Sequence, residues 1–173
     1  MAWQIDTVHS NVGFSVKHMV ISTVRGQFKV IGGTVDLNVD DPTKSTIEAE
    51  AEASSVDTRD DGRDNHLRSA DFFEVEKYPK LTFKSTNIDS LGGNDYNITG
   101  DLTLHGVTKP VTFKGEYSGV ITDPYGLPRA GITAEGKISR KEYGLAFSAA
   151  MANGGAIVGD EVKISLDVEI VNK

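Results

Sequence analysis

The chain has 173 residues, with 18 Lys and Arg against 25 Asp and Glu, and it contains no cysteine. This length fits one domain, residues 1–173, and a hydrophobic fraction of 38% argues against a disordered chain. Without cysteine there are no disulfides, no thiolate metal ligands and no cysteine nucleophiles. The formal net charge of −7 provides no general attraction to phosphate backbones, so we expect no nucleic-acid partner.

The N-terminal residues show no targeting signal. The opening MAWQID contains neither a basic n-region nor an apolar h-region. We therefore expect a cytoplasmic protein, or a periplasmic or secreted one if a leader has been removed. No run approaches the roughly 18 apolar residues of a membrane-spanning helix, so we expect no membrane-spanning segment.

Alternation of apolar and polar residues is the dominant pattern along the chain. Alternating runs lie at 12–17, 47–53, 81–84, 132–138 and 162–171. Successive side chains of a strand point to opposite faces, so each run predicts a strand with one buried and one solvated face. One-sided burial of this kind is typical of antiparallel sheets.

Turn-forming residues separate these runs and predict their connections. Hairpin connections are expected at 40–42, 91–95 and 123–126. Gly32-Gly33 is expected to break or bulge a long strand that starts near Thr23, and Pro110 and Pro128 are expected at the beginnings of runs, where a missing N–H is tolerated. The spacing predicts roughly eight strands.

Residues 61–79 (DGRDNHLRSADFFEVEKYP) lack alternation and predict a short helical insertion over one end of the sheet. Asp64 or Asn65 is a candidate to cap a first helix, and Ser69 to cap a second. Residues 140–144 form a second break in the pattern, and 149–155 predict an irregular loop.

A sheet of eight strands has two exposed edges unless it closes into a barrel. At this size the interior is either filled by side chains or holds one ligand. The predicted inward faces of 47–53 and 132–138 consist of Ile, Ala and Gly, which leave space along the axis. Four large side chains either fill this space or line it: Phe14, Phe28, Phe83 and Phe113.

Motifs for catalysis or metal binding are weak. The chain has four histidines: His9, His18, His66 and His105. None forms an HxH or HxxxH pair, and the calcium-loop-like segment 57–62 has Arg at the third ligand position. Asp6, His9 and Ser10 are the residue types of a triad but lie too close on one extended segment. We therefore expect no metal, no cofactor and no enzymatic activity.

Basic residues gather in the two breaks of the alternation. They are Arg59, Arg63 and Arg68 in the insertion, and Arg140 and Lys141 after the run 132–138. A guanidinium offers a planar fork of donors suited to phosphate. The alternative is an ordinary solvated surface, because three aspartates lie among these arginines.

Segments distributed over nearly the whole chain carry a family pattern. They are WQIDTVHSNVGFSVKH at 3–18, HLRSADFF at 66–73, GDLTLHGVTKPV at 100–111, RKEYGL at 140–145 and VGDEV at 158–162. In this order and spacing they resemble the YceI-like proteins. The resemblance implies an all-β fold, an extended eight-stranded antiparallel lipocalin-like β-barrel with a short helical insertion.

The resemblance also implies that the barrel binds and carries or stores a long-chain amphiphile. The expected ligand is a polyisoprenoid such as a prenyl phosphate or an isoprenoid quinone, with its head group at the mouth of the barrel. Two alternatives stay open: an enzyme acting on an isoprenoid, with His66, His105 or an Asp as acid or base, and a packed barrel that serves as a stress or interaction protein. Whether two barrels pair as a homodimer also stays open.

Candidate binding residues fall into two groups. The tail group comprises the inward apolar residues Phe14, Phe28, Ala49, Ala51, Phe83, Leu104 and Phe113. The head group comprises the polar residues expected at the mouth, Arg63, His66, Arg68, Arg140 and Lys141.

Overall fold

The structure is a computed structural model that describes residues 2–19, 21–145 and 158–173. The loop predicted at 149–155 lies outside the described residues. The strands are β1 (Ala2–Ile5), β2 (Asn11–His18), β3 (Ser22–Phe28), β4 (Ile31–Asp36), β5 (Thr46–Glu52), β6 (Val56–Asp57), β7 (Lys80–Gly92), β8 (Asp95–Leu104), β9 (Val107–Thr122), β10 (Pro128–Ser139) and β11 (Val158–Val171). The helical elements are α1 (Asp61–Arg68) and short 3₁₀ turns at Pro42–Lys44, Ala53–Ser55 and Arg140–Tyr143.

Eight of the strand segments close into a ring. Their order is β1-β4-β5-β7-β8-β9-β10-β11, and β11 pairs back onto β1. Gln4 illustrates the closure, because it pairs with Thr34 of β4 on one side and with Val171 of β11 on the other. Every pairing is antiparallel, so the predicted all-β barrel with eight strands and a short helix is confirmed.

The remaining segments, β2, β3 and β6, extend the wall beyond the ring. β2 pairs with the first half of β11, where Asn11 meets Asp167 and His18 meets Val158. β3 pairs with β2, and β6 pairs with the end of β3. Three barrel strands are thus interrupted, as β1/β2, β3/β4 and β5/β6, and eleven segments occupy eight positions.

The sequence predicted a break at Gly32-Gly33, but the break between β3 and β4 falls at Lys29-Val30. The amides of Lys29 and Val30 leave the ladder and donate to the carbonyl and the hydroxyl of Ser55. Gly33 lies inside β4. The position requires glycine, because a Cβ there would collide with the carbonyl oxygen of Glu48 on β5. Its role is therefore a close approach of two strands.

The insertion contains one helix where the sequence predicted two. Asp60, not Asp64 or Asn65, is the N-cap of α1 and accepts a hydrogen bond from the amide of Arg63 at 3.0 Å. Asp64 is buried within the helix, and its carboxylate accepts from the amide of Thr58 at 2.8 Å. Ser69 is the C-cap, so it ends α1 and starts no second helix.

Other predicted turns are confirmed by their backbone geometry. Gly92 and Gly93 have positive φ at the β7–β8 hairpin. In the β9–β10 hairpin, Asp123 Oδ1 accepts from the amides of Tyr125 and Leu127 at 2.8 and 2.9 Å. Both are local side-chain or glycine effects, which is why the sequence predicts them well.

The two ends of the barrel differ. The closed end is defined by the buried cluster of Trp3, Val35, Ala130 and Ile170. The opposite end is called the α1 end. It contains α1, the β2–β3 hairpin and the 140–143 turn. Among the described residues, the helical segments lack the length and apolar character that a membrane-spanning helix requires.

Candidate functional site

An apolar cavity of about 530 Å³ runs inside the barrel. This volume is within the range of about 300–1,000 Å³ typical of pockets that hold small molecules. Every residue of the predicted tail group lines it: Phe14, Phe28, Ala49, Ala51, Phe83, Leu104 and Phe113. The structure therefore brings this group together from six strands.

The predicted tail group omitted a large part of the wall, on β2, β10 and β11, although the inward face of 132–138 was expected from the sequence. These residues are Val12, Val16, Ile132, Ile138, Val162, Ile164, Leu166 and Val168. All are only half-buried, although they point inward. In a packed core such side chains are covered by neighbours. Their inner surfaces are instead open to the cavity. The alternating pattern of β11 could have indicated them.

Phenylalanine rings fit over glycines of the wall. A Cβ on Gly136 would lie 2.7 Å from the Phe113 ring, and one on Gly26 would lie 2.9 Å from a ring carbon of Phe14. Each ring thus occupies the space of a missing side chain. The rings lie against the wall and fill part of the space that the small side chains leave. A cavity nevertheless remains along the axis. The alternative of a completely packed interior is wrong.

Polar groups gather where the cavity reaches the α1 end. The lining there includes Lys17, His18, Arg63 and His66. Glu50, the one carboxylate among the described lining residues, forms an ion pair with Lys80 at 3.1 Å. Among the described lining residues, basic side chains therefore outnumber carboxylates at this end. The sequence did not predict Lys17 and His18, because alternation alone places Lys17 on the outer face.

Two residues of the predicted head group lie at this mouth. Arg63 donates from Nε and Nη2 to the hydroxyl and carbonyl oxygens of Thr58, both at 2.7 Å. His66 Nε2 lies 2.8 Å from Asp71 Oδ2. Both side chains line the cavity and are also exposed to solvent, so the cavity opens here.

Arg140 lines the cavity but is 3% exposed. Its guanidinium donates to the carbonyl oxygens of Leu145, Val158 and Gly159. Burial lowers the pKa of Arg140, and the attraction of Asp160 opposes that shift. Arg140 thus joins the chain on both sides of residues 146–157 and shapes the wall.

The other two predicted head-group residues, Arg68 and Lys141, are not among the described residues that line the cavity. Arg68 Nε donates to the carbonyl of Ser54 at 2.9 Å, and its Nη1 donates to Asn65. Lys141 is exposed, and its amide donates to Asp160. The expected position at the mouth does not hold for these two side chains, because local acceptors fix Arg68 elsewhere.

Asp6, His9 and Ser10 do not form a triad. Ser10 Oγ bonds to the backbone of Glu169, and Asp6 Oδ2 lies 2.9 Å from His9 Nδ1 and 2.7 Å from Arg129 Nη1. Ligand atoms of Asp6, His9 and Glu169 do lie within 4.8 Å of one another. However, Arg129 already forms ion pairs with the Asp6 and Glu169 carboxylates. These carboxylates therefore balance the charge of the guanidinium.

His105 forms the two-residue β8–β9 turn with Gly106, both at positive φ. Its Nδ1 lies 3.0 Å from the Tyr143 carbonyl, and its ring packs edge-on against Tyr78. It is not among the described residues that line the cavity. Its position is that of a structural turn residue.

The closed barrel and its apolar interior define a β-barrel protein with an internal cavity open at one end. The model of the YceI-like domain matches residues 3–170. A UPF0312 protein of Staphylococcus epidermidis is 38% identical over 168 residues, which cover 96% of this chain and 95% of that protein. The chain therefore belongs to the YceI-like family.

Solved structures agree with this assignment. A YceI protein of Campylobacter jejuni superposes with a TM-score of 0.78 at 31% identity, over 97% of this chain and 96% of that chain. A domain from Saccharophagus degradans that is described as polyisoprenoid-binding has a TM-score of 0.74 at 16% identity, over 97% of each chain. At that identity the second likeness shows the fold alone.

Proposed function

We propose that this protein binds a long-chain amphiphile in the barrel cavity and carries or stores it. The tail, that of a polyisoprenoid such as a prenyl phosphate or an isoprenoid quinone, lies along the apolar wall, and the head group lies at the α1 end. The observation that carries this proposal is the open cavity lined by half-buried inward side chains. The polyisoprenoid named for the S. degradans domain supports the ligand class.

The tail dominates the binding free energy. Burying one methylene contributes roughly 0.8 kcal/mol, so a long tail contributes far more than a single polar contact. One hydrogen bond to a charged group contributes about 1.5–3 kcal/mol. The head group therefore sets orientation and discrimination, and loss of rigid-body and tail freedom opposes both contributions.

The basic mouth favours an anionic or strongly accepting head group. Lys17 and Arg63 are the solvent-exposed cations of the lining, with His18 and His66 beside them. In this proposal Lys17 joins Arg63 and His66 as a head-group residue. Arg140 contributes mainly by holding the wall, because backbone carbonyls bind its guanidinium.

Catalysis on an isoprenoid is the second candidate, and no specific observation favours it. His105 lies outside the cavity lining, and His66 Nε2 is shared with Asp71 at the exposed mouth. No arrangement of nucleophile, base and orienting group occurs among the described lining residues. A binding role needs none of these groups.

Native mass spectrometry of the freshly purified protein tests the proposal directly. We expect an adduct of long-chain lipid mass that dissociates when the protein unfolds, and the same lipid after organic extraction. A protein that stays free of lipid, even after incubation with a prenyl phosphate and an isoprenoid quinone, contradicts the proposal.

A cavity-filling variant sharpens this test. Ala49 is half-buried beside Phe83 on the wall, so Ala49→Phe places a ring in open space. We expect at least a tenfold loss of bound lipid with little change in Tm, because a cavity-filling ring displaces several buried methylenes. Thr34→Phe, on the outer face of β4, is the control and should retain lipid. Equal lipid in both variants would exclude the wall at Ala49 as a binding surface.

A further inference from the structure

The tip of the β2–β3 hairpin exposes apolar side chains at the α1 end. Ile21 is 84% exposed and Met19 is 41% exposed. β2 leads away from the closed end, and the last two residues of β2, Lys17 and His18, line the cavity. The exposed tip is therefore adjacent to the mouth of the cavity.

The backbone of this turn is unusual for its residues. Met19 has φ 54, in the left-handed region that glycine and asparagine normally occupy. The carbonyl of His18 accepts from the amide of Ile21 and from the hydroxyl of Ser22, both at 3.3 Å. A large apolar residue at positive φ in an exposed turn costs folding free energy, which makes the tip a candidate functional surface.

The charge of the hairpin points to the chemistry of its partner. Residues 11–28 contain Lys17, His18 and Arg25 and no carboxylate, in a chain of net charge −7. Lys17 Nζ lies 3.2 Å from the Thr23 hydroxyl, and Arg25 follows two residues later on the same face. On the adjoining strand, Asp160 accepts from Ser139 at 2.6 Å. The exposed cations thus flank the apolar tip.

Exposed apolar residues at the closed end lack this setting. Ile121 is 63% exposed and pairs with Arg129, which is surrounded by the carboxylates of Asp6, Asp123 and Glu169. Apolar exposure alone is common on protein surfaces. The combination of an apolar tip, cations on a hairpin whose own sequence has no carboxylate, and the adjacent cavity mouth occurs at the α1 end.

We propose that the β2–β3 hairpin docks this protein on an anionic lipid bilayer. Met19 and Ile21 enter the boundary between head groups and acyl chains, while Lys17 and Arg25 meet the anionic head groups. Docking turns the mouth of the cavity toward the membrane, so that a lipid passes between them without crossing water. This purpose rests on the proposed lipid binding, but docking itself is measured independently.

Co-sedimentation with vesicles tests the docking. We expect the wild-type protein to bind vesicles of equal parts phosphatidylcholine and phosphatidylglycerol, to bind pure phosphatidylcholine much more weakly, and to dissociate at high salt. Equal binding to both vesicles, or binding to neither, overturns the proposal.

Variants of the tip separate docking from folding. Ile21→Ser and Met19→Asn should each weaken vesicle binding about tenfold, because each removes one membrane-buried side chain. Met19→Asn should leave Tm unchanged or raise it, because asparagine tolerates positive φ. Arg25→Gln should reduce the salt dependence of binding, and Ile121→Ser at the closed end is the matched control. An equal loss in Ile121→Ser contradicts the assignment of the tip.

The remaining outcomes distinguish docking from lipid binding and from self-association. If the Ile21→Ser protein retains its co-purified lipid but loses vesicle binding, docking is supported and the cavity function is intact. If the wild-type protein carries lipid but ignores vesicles, docking alone is wrong. If Ile21→Ser changes the molecular mass in light scattering and wild-type vesicle binding is absent, the tip binds a second copy of the chain and the membrane proposal fails.

Discussion

The two ends of the barrel use the same kinds of residues in opposite ways. At the closed end, Arg129 bonds to Asp6 at 2.7 Å, to Asp123 at 2.7 Å and to Glu169 at 2.9 Å. At the α1 end, Lys17 lines the cavity mouth and bonds to the hydroxyl of Thr23. Ion pairs such as those of Arg129 connect neighbouring strands. A cation beside an apolar opening, such as Lys17, is placed to contact a ligand.

Packing shows the same contrast. Trp3 is 4% exposed, lies in a buried cluster and is not among the described lining residues, whereas Phe73, beside α1, is half-buried and lines the cavity. Both are large aromatic residues near an end of one barrel. We infer from this difference that the closed end mainly stabilises the fold and that the α1 end belongs to the proposed binding site, and the following variants test that division.

The largest expected effect is that of Trp3→Ala. Removing a fully packed aromatic side chain should cost about 3–5 kcal/mol in free energy of unfolding. Phe73→Ala should cost less, because part of its surface already faces open space, and should instead weaken lipid retention. Urea unfolding and lipid extraction of both variants check this. Equal losses of stability would remove the distinction between the ends.

Arg140→Met is expected to come next, at about 2–4 kcal/mol of unfolding free energy, since it leaves three buried or partly buried carbonyls without their donor. The affected carbonyls are those of Leu145, Val158 and Gly159. The neighbouring Lys141→Met is the control and should change stability by less than about 0.5 kcal/mol. A stable Arg140→Met protein with altered head-group preference would make Arg140 a ligand contact rather than a wall residue.

Asp6→Asn should cost about 2 kcal/mol and should depend on pH. Hydrogen bonds from His9 and then Arg129 lower the pKa of Asp6, and Asp6 in turn raises the pKa of His9. The stability that Asp6 provides is complete above its unfolded pKa of about 3.9 and is lost as pH falls through the lower folded value. The part from His9 is complete below about 6.5 and is lost as pH rises through the higher folded value.

The difference between wild type and Asp6→Asn should therefore be largest between about pH 4 and pH 6.5. Urea unfolding over a pH series measures it, with the exposed Asp36→Asn as control. A difference that is constant from strongly acidic to alkaline pH would show that the hydrogen bonds of Asp6 do not stabilise the closed end.

The smallest expected effect is that of Lys17→Gln. We expect it to weaken the preference for a prenyl phosphate over a prenol with the same tail by about fivefold, or 1 kcal/mol, because Lys17 is exposed at the mouth. Lys44→Gln, in the β4–β5 connection, should leave the preference unchanged. An unchanged preference in Lys17→Gln would remove this side chain from the head-group site.

The candidate site was predictable where strand alternation governs it. All seven tail residues line the cavity, because the inward face of a strand follows from the period of two. The mouth was less predictable. Lys17 and His18 belong to it only because the barrel wall ends there, and Arg140 is buried by residues far from it in the chain.

The caps of the insertion show the same limit at short range. Asp60 and Asp64 are both good capping residues, and the choice between them depends on Thr58, whose amide and hydroxyl engage Asp64. The sequence predicted a cap at Asp64 or Asn65 and missed Asp60, because the contact between Thr58 and Asp64 is visible only in the structure.

The sequence by itself determined the strands, most of the turns and the inward faces, because alternation and glycine or aspartate geometry act over a few residues. Only the tertiary structure decided that the interior stays open. Phe14 and Phe113 lie over glycines of neighbouring strands, and that depends on register between segments. Whether a ring fills the axis or lies against the wall is a property of the closed barrel, which no single strand contains.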